Sequence, residues 1–232
     1  MTGTPRLTNA FLFDLDGTLT DTVYQHVLAW KEALDEEGIA LSVWRIHRKI
    51  GMSGGLFTNM LLRETGLGAD QALLDRLRHR HAQAYRRLAP GVVPLPGARE
   101  LLDTLTELNI PWAIATSGRM ETARPALEKL GVDPLKAAVI TRDEVEYAKP
   151  DPDLFLAAAA RIGVDIASAF VVGDSIWDMI AAKRARALGI GLLSGGYGRE
   201  ELERSGALRV YEDPADMLDH LDEVGGRRGL AQ

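Results

Sequence analysis

The chain has 232 residues, of which 46% are hydrophobic, as expected of one large domain or of a core with a smaller inserted domain. A formal net charge of −6 argues against nucleic acid or an anionic membrane as the main partner. The sequence has no cysteine, no apolar signal region after Met1 and no apolar stretch long enough to span a bilayer, so we expect a cytoplasmic protein without disulfides or thiol chemistry.

Short apolar runs recur along the chain, and segments with helical periodicity separate the later ones. The apolar runs cover residues 10–13, 112–115, 137–140, 169–172 and 190–193. The helical segments cover residues 97–108, 119–130, 152–162 and 175–188. Continuous apolar strands that alternate with helices are typical of a parallel sheet covered on both faces. We therefore predict an α/β core with a doubly wound parallel sheet, followed by a loose tail at residues 225–232.

The alternation of strands and helices is interrupted between about residues 20 and 90. Three helical segments follow one another there, separated by glycine-rich breaks, at residues 22–37, 55–65 and 70–88. A segment rich in proline and glycine, residues 90–97, then returns the chain to the core. We predict a small helical domain over residues 19–93, inserted into a core formed by residues 1–18 and 94–232.

Two carboxylates, Asp14 and Asp16, follow the first apolar run directly, beside a break at Gly17. Side chains two residues apart in an extended chain point to the same side, so the two acids converge. Like charges at that distance need a cation, a shared proton, or both. A structural alternative stays open, because Asp is also a common turn former and helix cap.

Polar residues also follow three of the four later runs. They are Thr116, Ser117 and Gly118 after the second run, Lys149 after the third, and Asp174 with Asp178 after the fourth. Ligands of open parallel sheets bind beyond the carboxyl ends of the strands, so we expect these residues to meet Asp14. Each also has a structural alternative: the Thr-Ser-Gly segment as a helix N-cap, Lys149 as an exposed loop cation, and the two acids as favourable groups at a helix N-terminus.

Taken together, Asp14-Leu15-Asp16-Gly17-Thr18, Thr116, Lys149-Pro150 and Gly173-Asp174 with Asp178 resemble the four motifs of the haloacid dehalogenase (HAD) superfamily. The resemblance extends over nearly the whole chain. It implies a Rossmann-like core with a helical cap that closes over the site. It also implies Mg²⁺ as the cofactor and a small phosphorylated metabolite as the substrate.

The resemblance assigns roles to these residues. Asp14 is the expected nucleophile and a metal ligand, and Asp16 is the expected general acid and base and a further metal ligand. Asp174 is expected to bind the metal directly, and Asp178 to orient a metal-bound water or Lys149. Phosphate oxygens are expected to contact Thr116, Ser117, Gly118 and Lys149. Since free Asp has a pKa near ~3.9, an acid role for Asp16 predicts a raised pKa, which its neighbour Asp14 and closure of the cap could supply.

Asp16 excludes two reaction types of the superfamily, because its dehalogenases and phosphonate hydrolases lack this second Asp. A phosphatase and a sugar-phosphate mutase of the β-phosphoglucomutase type remain. Two cations of the mutase's cap loop fall on Ile50 and Gly54 here, and Gly173-Asp174 resembles the phosphoglycolate phosphatase type. We predict a phosphatase, with the mutase and a non-catalytic phosphate-binding module as alternatives.

Substrate contacts are expected from the inserted helices, where His26, Arg48, Lys49 and Ser53 are candidates. Instead of contacting substrate, the cations could lie on a solvated helix face. His26 lies either near Asp16 or packed between helices. The basic stretch from Arg76 to Arg87 is predicted to be solvated surface, because its charges point all around a helix. The oligomeric state, monomer or homodimer, and the identity of the phosphate ester stay open.

Overall fold

A six-stranded parallel sheet forms the centre of the molecule in the computed structural model, which describes residues 9–66 and 70–226. The strand order is β3-β2-β1-β4-β5-β6. The strands are β1 Ala10–Phe13, β2 Trp112–Ala115, β3 Val139–Ile140, β4 Ala169–Gly173, β5 Leu188–Leu192 and β6 Ala207–Tyr211. The chain leaves β1 toward β2 and β3 on one side and returns to β4 on the other. This arrangement opens a crevice at the carboxyl end of β1.

Alternating side chains of the strands build a hydrophobic core on each face of the sheet. Phe11 and Phe13 point into one core, and Ala10 and Leu12 point into the other. The first core is covered by α5 Ala98–Glu107, α6 Met120–Leu130 and α10 Pro214–Asp219, and the second by α7 Asp153–Arg161 and α8 Ile176–Ala185. The predicted doubly wound α/β fold is therefore confirmed.

Within the described residues, four α-helices lie between β1 and α5, and we call them the helical insert. They are α1 Val23–Glu36, α2 Val43–His47, α3 Gly54–Thr65 and α4 Gln71–Leu88. The insert has its own hydrophobic core, in which Trp30 and Leu34 of α1 pack with Leu74 and Leu77 of α4. The predicted helices at residues 22–37, 55–65 and 70–88 correspond to α1, α3 and α4. The division of the chain into a core and a cap domain stays a prediction.

Several elements differ from those predicted. The helix predicted to end at residue 188 stops at Ala185, because Arg186 has a left-handed backbone with φ 64° and β5 begins two residues later. The edge strand β3 covers only the second half of the predicted run. Among the described α-helices and strands, four had no predicted counterpart: α2, α9 Arg199–Ser205, β6 and α10. Strand β6 lacks a continuous apolar run, since an edge strand leaves residues such as Leu208 and Arg209 exposed.

Most of the tail predicted at residues 225–232 lies outside the described residues. Among the helices that the structure describes, none combines the length and the apolar character needed to cross a bilayer.

Candidate active site

Asp14 is held at the carboxyl end of β1 by the sheet itself. Its backbone N–H donates to the carbonyl of Val172 in β4 at 2.8 Å, which continues the parallel pairing beyond the last strand residue. The next turn depends on Gly17, whose φ is +84°. A Cβ at Gly17 would lie 2.7 Å from Oδ2 of Asp174, so the chain passes directly over that carboxylate. The turn therefore brings the acids of β1 and β4 together.

Lys149 occupies the centre of the site. Its side chain is 0% exposed, and its Nζ forms ion pairs with Asp14 and, at 2.8 Å, with Oδ1 of Asp178. Burial by itself would lower the pKa of Lys149, but the charges of Asp14 and Asp178 outweigh it and raise the pKa. Lys149 is therefore a charged ammonium fixed beside the Asp14 carboxylate, and Asp178 is the group that holds it there.

Three buried carboxylates, those of Asp14, Asp174 and Asp178, lie close enough to share one metal ion, with ligand atoms within 4.8 Å of one another. Burial and the neighbouring acids raise the pKa of Asp14 to about 7 and that of Asp174 well above its ordinary value. Lys149 alone does not balance these charges. Oxygen ligands with excess negative charge suit a hard divalent cation, so the residues present fit a metal site.

Asp16 does not belong to this group of three carboxylates and has other partners. Its Oδ1 accepts a hydrogen bond from Thr22 at 2.7 Å and lies 3.3 Å from Nε2 of His26, while its Oδ2 accepts from Thr116 Oγ1 at 3.4 Å. Burial would raise the pKa of Asp16, but His26 and Thr22 outweigh it and lower the pKa. The predicted raised pKa of Asp16 is therefore wrong for this structure, because His26 of the helical insert and Thr22, which directly precedes α1, favour its charged form. The role of Asp16 as a metal ligand stays a prediction.

The segment after β2, residues Thr116 to Gly118, lies beside Asp16 and lines the same cavity as Asp14. Thr116 is buried, and its Oγ1 accepts the N–H of Gly118 at 2.9 Å. Ser117 Oγ donates to the carbonyl of Gly51 at 3.0 Å and so links the core to the helical insert. The predicted phosphate contacts of this segment stay a prediction.

Asp178 both caps helix α8 and contacts Lys149. It lies in the first turn of α8, where its Oδ2 accepts the backbone N–H of Ser175 at 3.1 Å and the Ser175 hydroxyl at 2.5 Å in a capping box. Its other oxygen contacts Lys149. The helix cap thus fixes the carboxylate that holds the buried ammonium.

A cavity of about 540 Å³ lies between the helical insert and the strand ends. Asp14, Asp16 and the segment after β2 line its inner end. Its outer wall combines apolar side chains with cations, among them Trp30, Met52, Phe57, Lys49, Arg78, Arg86, Arg119 and Arg142. The cavity can therefore hold a small anionic molecule with one end at Asp14.

Comparison with known proteins assigns the family. Residues 8–186 match the model of the haloacid dehalogenase-like hydrolases. The chain belongs to this hydrolase family. A phosphoglycolate phosphatase of Rhodospirillum rubrum is 34% identical over 228 residues, which cover 94% of each protein. A beta-phosphoglucomutase of Bacillus subtilis is 31% identical over 217 residues, covering 91% of this chain and 92% of the relative. The crystal structure of a hydrolase from Pseudomonas syringae matches with a TM-score of 0.91 and 61% identity, covering 92% of this chain and 98% of that one.

The basic stretch of α4 in this HAD hydrolase is not all at the surface, contrary to the prediction. Arg76, Arg80 and Arg87 form ion pairs at the surface with acids of α1 and with the half-buried Glu37, as expected of a largely solvated face. His81, in contrast, is 9% exposed, so the prediction of solvated surface is wrong for it. It follows Leu77 by four residues and therefore lies on the buried face of α4. That helical spacing is the signal that could have identified it.

The four predicted substrate residues of the HAD hydrolase lie in different surroundings. His26 contacts Asp16 and also packs between helices, so both of its alternatives hold. Lys49 lines the cavity and pairs with Glu64 at 2.5 Å. Ser53 donates its backbone N–H to the Lys149 carbonyl at 3.0 Å, and its hydroxyl accepts the N–H of Leu56. Substrate binding by these residues stays a prediction.

Arg48 joins the helical insert to the core. It forms an ion pair with Glu201 of α9, and its guanidinium lies 4.1 Å from the ring centre of Tyr197. The cavity lining within the described residues does not include it.

We expect Arg48→Gln and Glu201→Gln to change kcat/KM equally, each by less than about fivefold, because a half-exposed ion pair contributes at most about 1 kcal/mol. Steady-state kinetics of both variants and of the double variant test this, and the double variant should lose no more than either single one. A large rise in KM for Arg48→Gln, with Glu201→Gln unaffected, would instead make Arg48 a substrate contact.

Proposed function

We propose that this HAD hydrolase is a Mg²⁺-dependent phosphatase that hydrolyses a small phosphate monoester through an aspartyl-phosphate on Asp14. One observation carries the proposal: the Asp14 carboxylate lies at the inner end of the cavity beside a buried ammonium, with Oδ2 of Asp16 facing the same cavity. A nucleophile, a cation for the phosphoryl charge and a proton donor are the groups that phosphoryl transfer requires.

The first step forms the covalent intermediate. A carboxylate oxygen of Asp14 attacks phosphorus, and the bond between phosphorus and the leaving oxygen breaks. Asp16, protonated on Oδ2 in the substrate complex, gives that proton to the leaving oxygen, so the product leaves as a neutral alcohol. Lys149 stabilises the negative charge on the phosphoryl oxygens, and its ion pairs with Asp14 and Asp178 keep it in place.

The second step releases phosphate. Asp16, now a carboxylate, takes a proton from water as the water oxygen attacks phosphorus, and the bond from phosphorus to Asp14 breaks. Both acids return to their starting state. The hydrogen bonds from Thr22 and Thr116 keep the Asp16 carboxylate oriented for both steps.

The metal site fits the same scheme. Asp14 and Asp174 would hold Mg²⁺, whose charge balances the buried carboxylates and the phosphoryl oxygens. Thr18 orients Asp174 through a hydrogen bond of 3.0 Å to Oδ1. Gly195 leaves room for the same side chain, since a Cβ there would lie 1.7 Å from Oδ2 of Asp174.

A sugar-phosphate mutase is the second candidate, favoured by the similarity to the beta-phosphoglucomutase of Bacillus subtilis. Such a reaction needs a site for a second phosphate. Ile50 and Gly54, where the mutase pattern has cations, line the cavity without charge, and the nearby Lys49 is paired with Glu64. These contacts favour hydrolysis.

We expect the purified protein to release phosphate from small monoesters in a reaction that EDTA abolishes and Mg²⁺ restores. A panel that includes phosphoglycolate and glucose phosphates, with phosphate release as the readout, tests this. Conversion of β-glucose 1-phosphate to glucose 6-phosphate without phosphate release would support the mutase instead. No metal-dependent turnover of any panel member would contradict both and favour a phosphate-binding module.

A further inference from the structure

Two histidines form a direct contact behind Asp16. Nδ1 of His26 in α1 lies 3.1 Å from Nε2 of His81 in α4, and we call the two residues the histidine pair. Aromatic rings enclose the pair: His26 stacks on Tyr85 with ring centres 4.0 Å apart, and His81 stacks on Trp30 at 4.2 Å. Packing on both sides leaves the two imidazoles little freedom to rotate.

The histidine pair contacts only one oxygen of Asp16. Oδ1 contacts both the Thr22 hydroxyl and Nε2 of His26, at 2.7 and 3.3 Å. Oδ2 lies 3.4 Å from Oγ1 of Thr116, on the side of the cavity. A carboxylate with one oxygen anchored twice presents the other oxygen in a fixed direction. Oδ2 is therefore the oxygen from which a proton can move to a leaving group.

Hydrogen-bond chemistry determines where the protons lie. A neutral imidazole has one N–H, and burial lowers the pKa of His81 well below its usual value, which keeps that ring neutral. Oδ1 of Asp16 is an acceptor, so its contact of 3.3 Å with the His26 ring requires a proton on Nε2 of His26. A His26 ring with its single proton on Nε2 accepts at Nδ1, and the donor to it is Nε2–H of His81, 3.1 Å away.

We propose that His81 is a positioning residue for proton transfer by Asp16: its Nε2–H donates to His26, which directs Nε2–H of His26 onto Oδ1 and leaves Oδ2 for the leaving group. The proposal rests on the proposed phosphatase function. His81 touches neither substrate nor reacting atoms in this scheme. It acts through His26, and its loss leaves the His26 ring free to adopt the other tautomer.

Leaving-group dependence separates this role from a merely structural one. An alkyl phosphate needs a proton on its leaving oxygen, whereas p-nitrophenolate leaves without one. For His81→Phe, which keeps a stacking ring and removes the donor, we expect kcat/KM to fall about 10- to 100-fold with an alkyl phosphate, a part of the ~10²–10⁴-fold that general acid catalysis contributes. With p-nitrophenyl phosphate the fall should stay under about threefold.

His81→Gln is the rescue variant, because its amide N–H has a reach similar to that of Nε2–H, and it should recover most of the alkyl phosphate activity. Gln83→Phe places the same ring at an exposed site of α4 and serves as the control. Equal losses with both substrates, no loss in His81→Phe, or no recovery in His81→Gln would overturn the proposal. Absent hydrolysis of both substrates by the wild type would instead overturn the phosphatase function.

A measurement on the wild-type protein does not depend on how the variants fold. Nitrogen-15 NMR of the histidine rings at pH 8 should show neutral imidazoles with the proton on Nε2 for both His26 and His81. A proton on Nδ1 of either ring, or a doubly protonated His26, would overturn the assigned hydrogen bonds.

Discussion

Replacing Asp14 with Asn lowers phosphate release by about 10³-fold or more in our account, because the amide is a far weaker nucleophile than the carboxylate and the covalent intermediate cannot form. The side chains have nearly the same shape, and the N–H of Asp14 stays bonded to Val172. The fold should therefore persist, as judged by circular dichroism. Initial rates of phosphate release with an alkyl phosphate and with p-nitrophenyl phosphate are the measurement.

Asp21→Asn is the matched control, since it makes the same change at an exposed position seven residues further along the chain. It should keep wild-type kinetics. If Asp14→Asn kept more than a few per cent of the wild-type rate, Asp14 would not be the nucleophile.

Replacing Lys149 with Met removes the only cation in contact with Asp14 and Asp178 among the described residues. Two buried carboxylates then lose their partner, which we expect to lower the free energy of unfolding by about 3–5 kcal/mol. The loss of a fixed ammonium beside the phosphoryl group should lower kcat by a further ~10²–10³-fold in the folded protein. Urea unfolding and steady-state kinetics measure the two effects separately.

Lys183→Met, at an exposed position of α8, removes the same charge at the surface and should change the free energy of unfolding by less than about 1 kcal/mol. The double variant of Lys149→Met with Asp14→Asn should recover part of the lost stability, because one of the unpaired carboxylates is gone. A loss for Lys149→Met no larger than that of the control would contradict the buried ion pairs.

The position of the site followed from the sequence because parallel strands end at one edge of the sheet. Apolar runs located the strands, and the polar residues after them, Asp14, Thr116 and Asp174, therefore had to meet. Lys149 follows the third run, so the same rule about strand ends predicts its position beside Asp14. Strand β6 was not predicted because it is an exposed edge strand, and such a strand does not require a continuous apolar run.

Side-chain partners across the fold were less predictable. The sequence shows that Asp16 is near Asp14, which favours a raised pKa, but it does not show that His26 and Thr22 bond to Asp16. The basic residues around Arg48 likewise suggested substrate contacts, whereas the fold pairs Arg48 with Glu201, 153 positions along the chain. Ion pairs and hydrogen bonds between distant segments depend on how the helical insert sits on the core, and local spacing does not encode that.

Trapping the covalent intermediate tests the central claim most directly. Enzyme mixed with excess phosphate ester and Mg²⁺ is quenched in acid within the first turnovers and reduced with borohydride, which converts an aspartyl-phosphate to homoserine. Peptide mass spectrometry should then find homoserine at position 14 and unmodified Asp at position 16. Homoserine at another position, or active enzyme with none at position 14 under conditions that trap a known aspartyl-phosphate enzyme, would contradict Asp14 as the nucleophile.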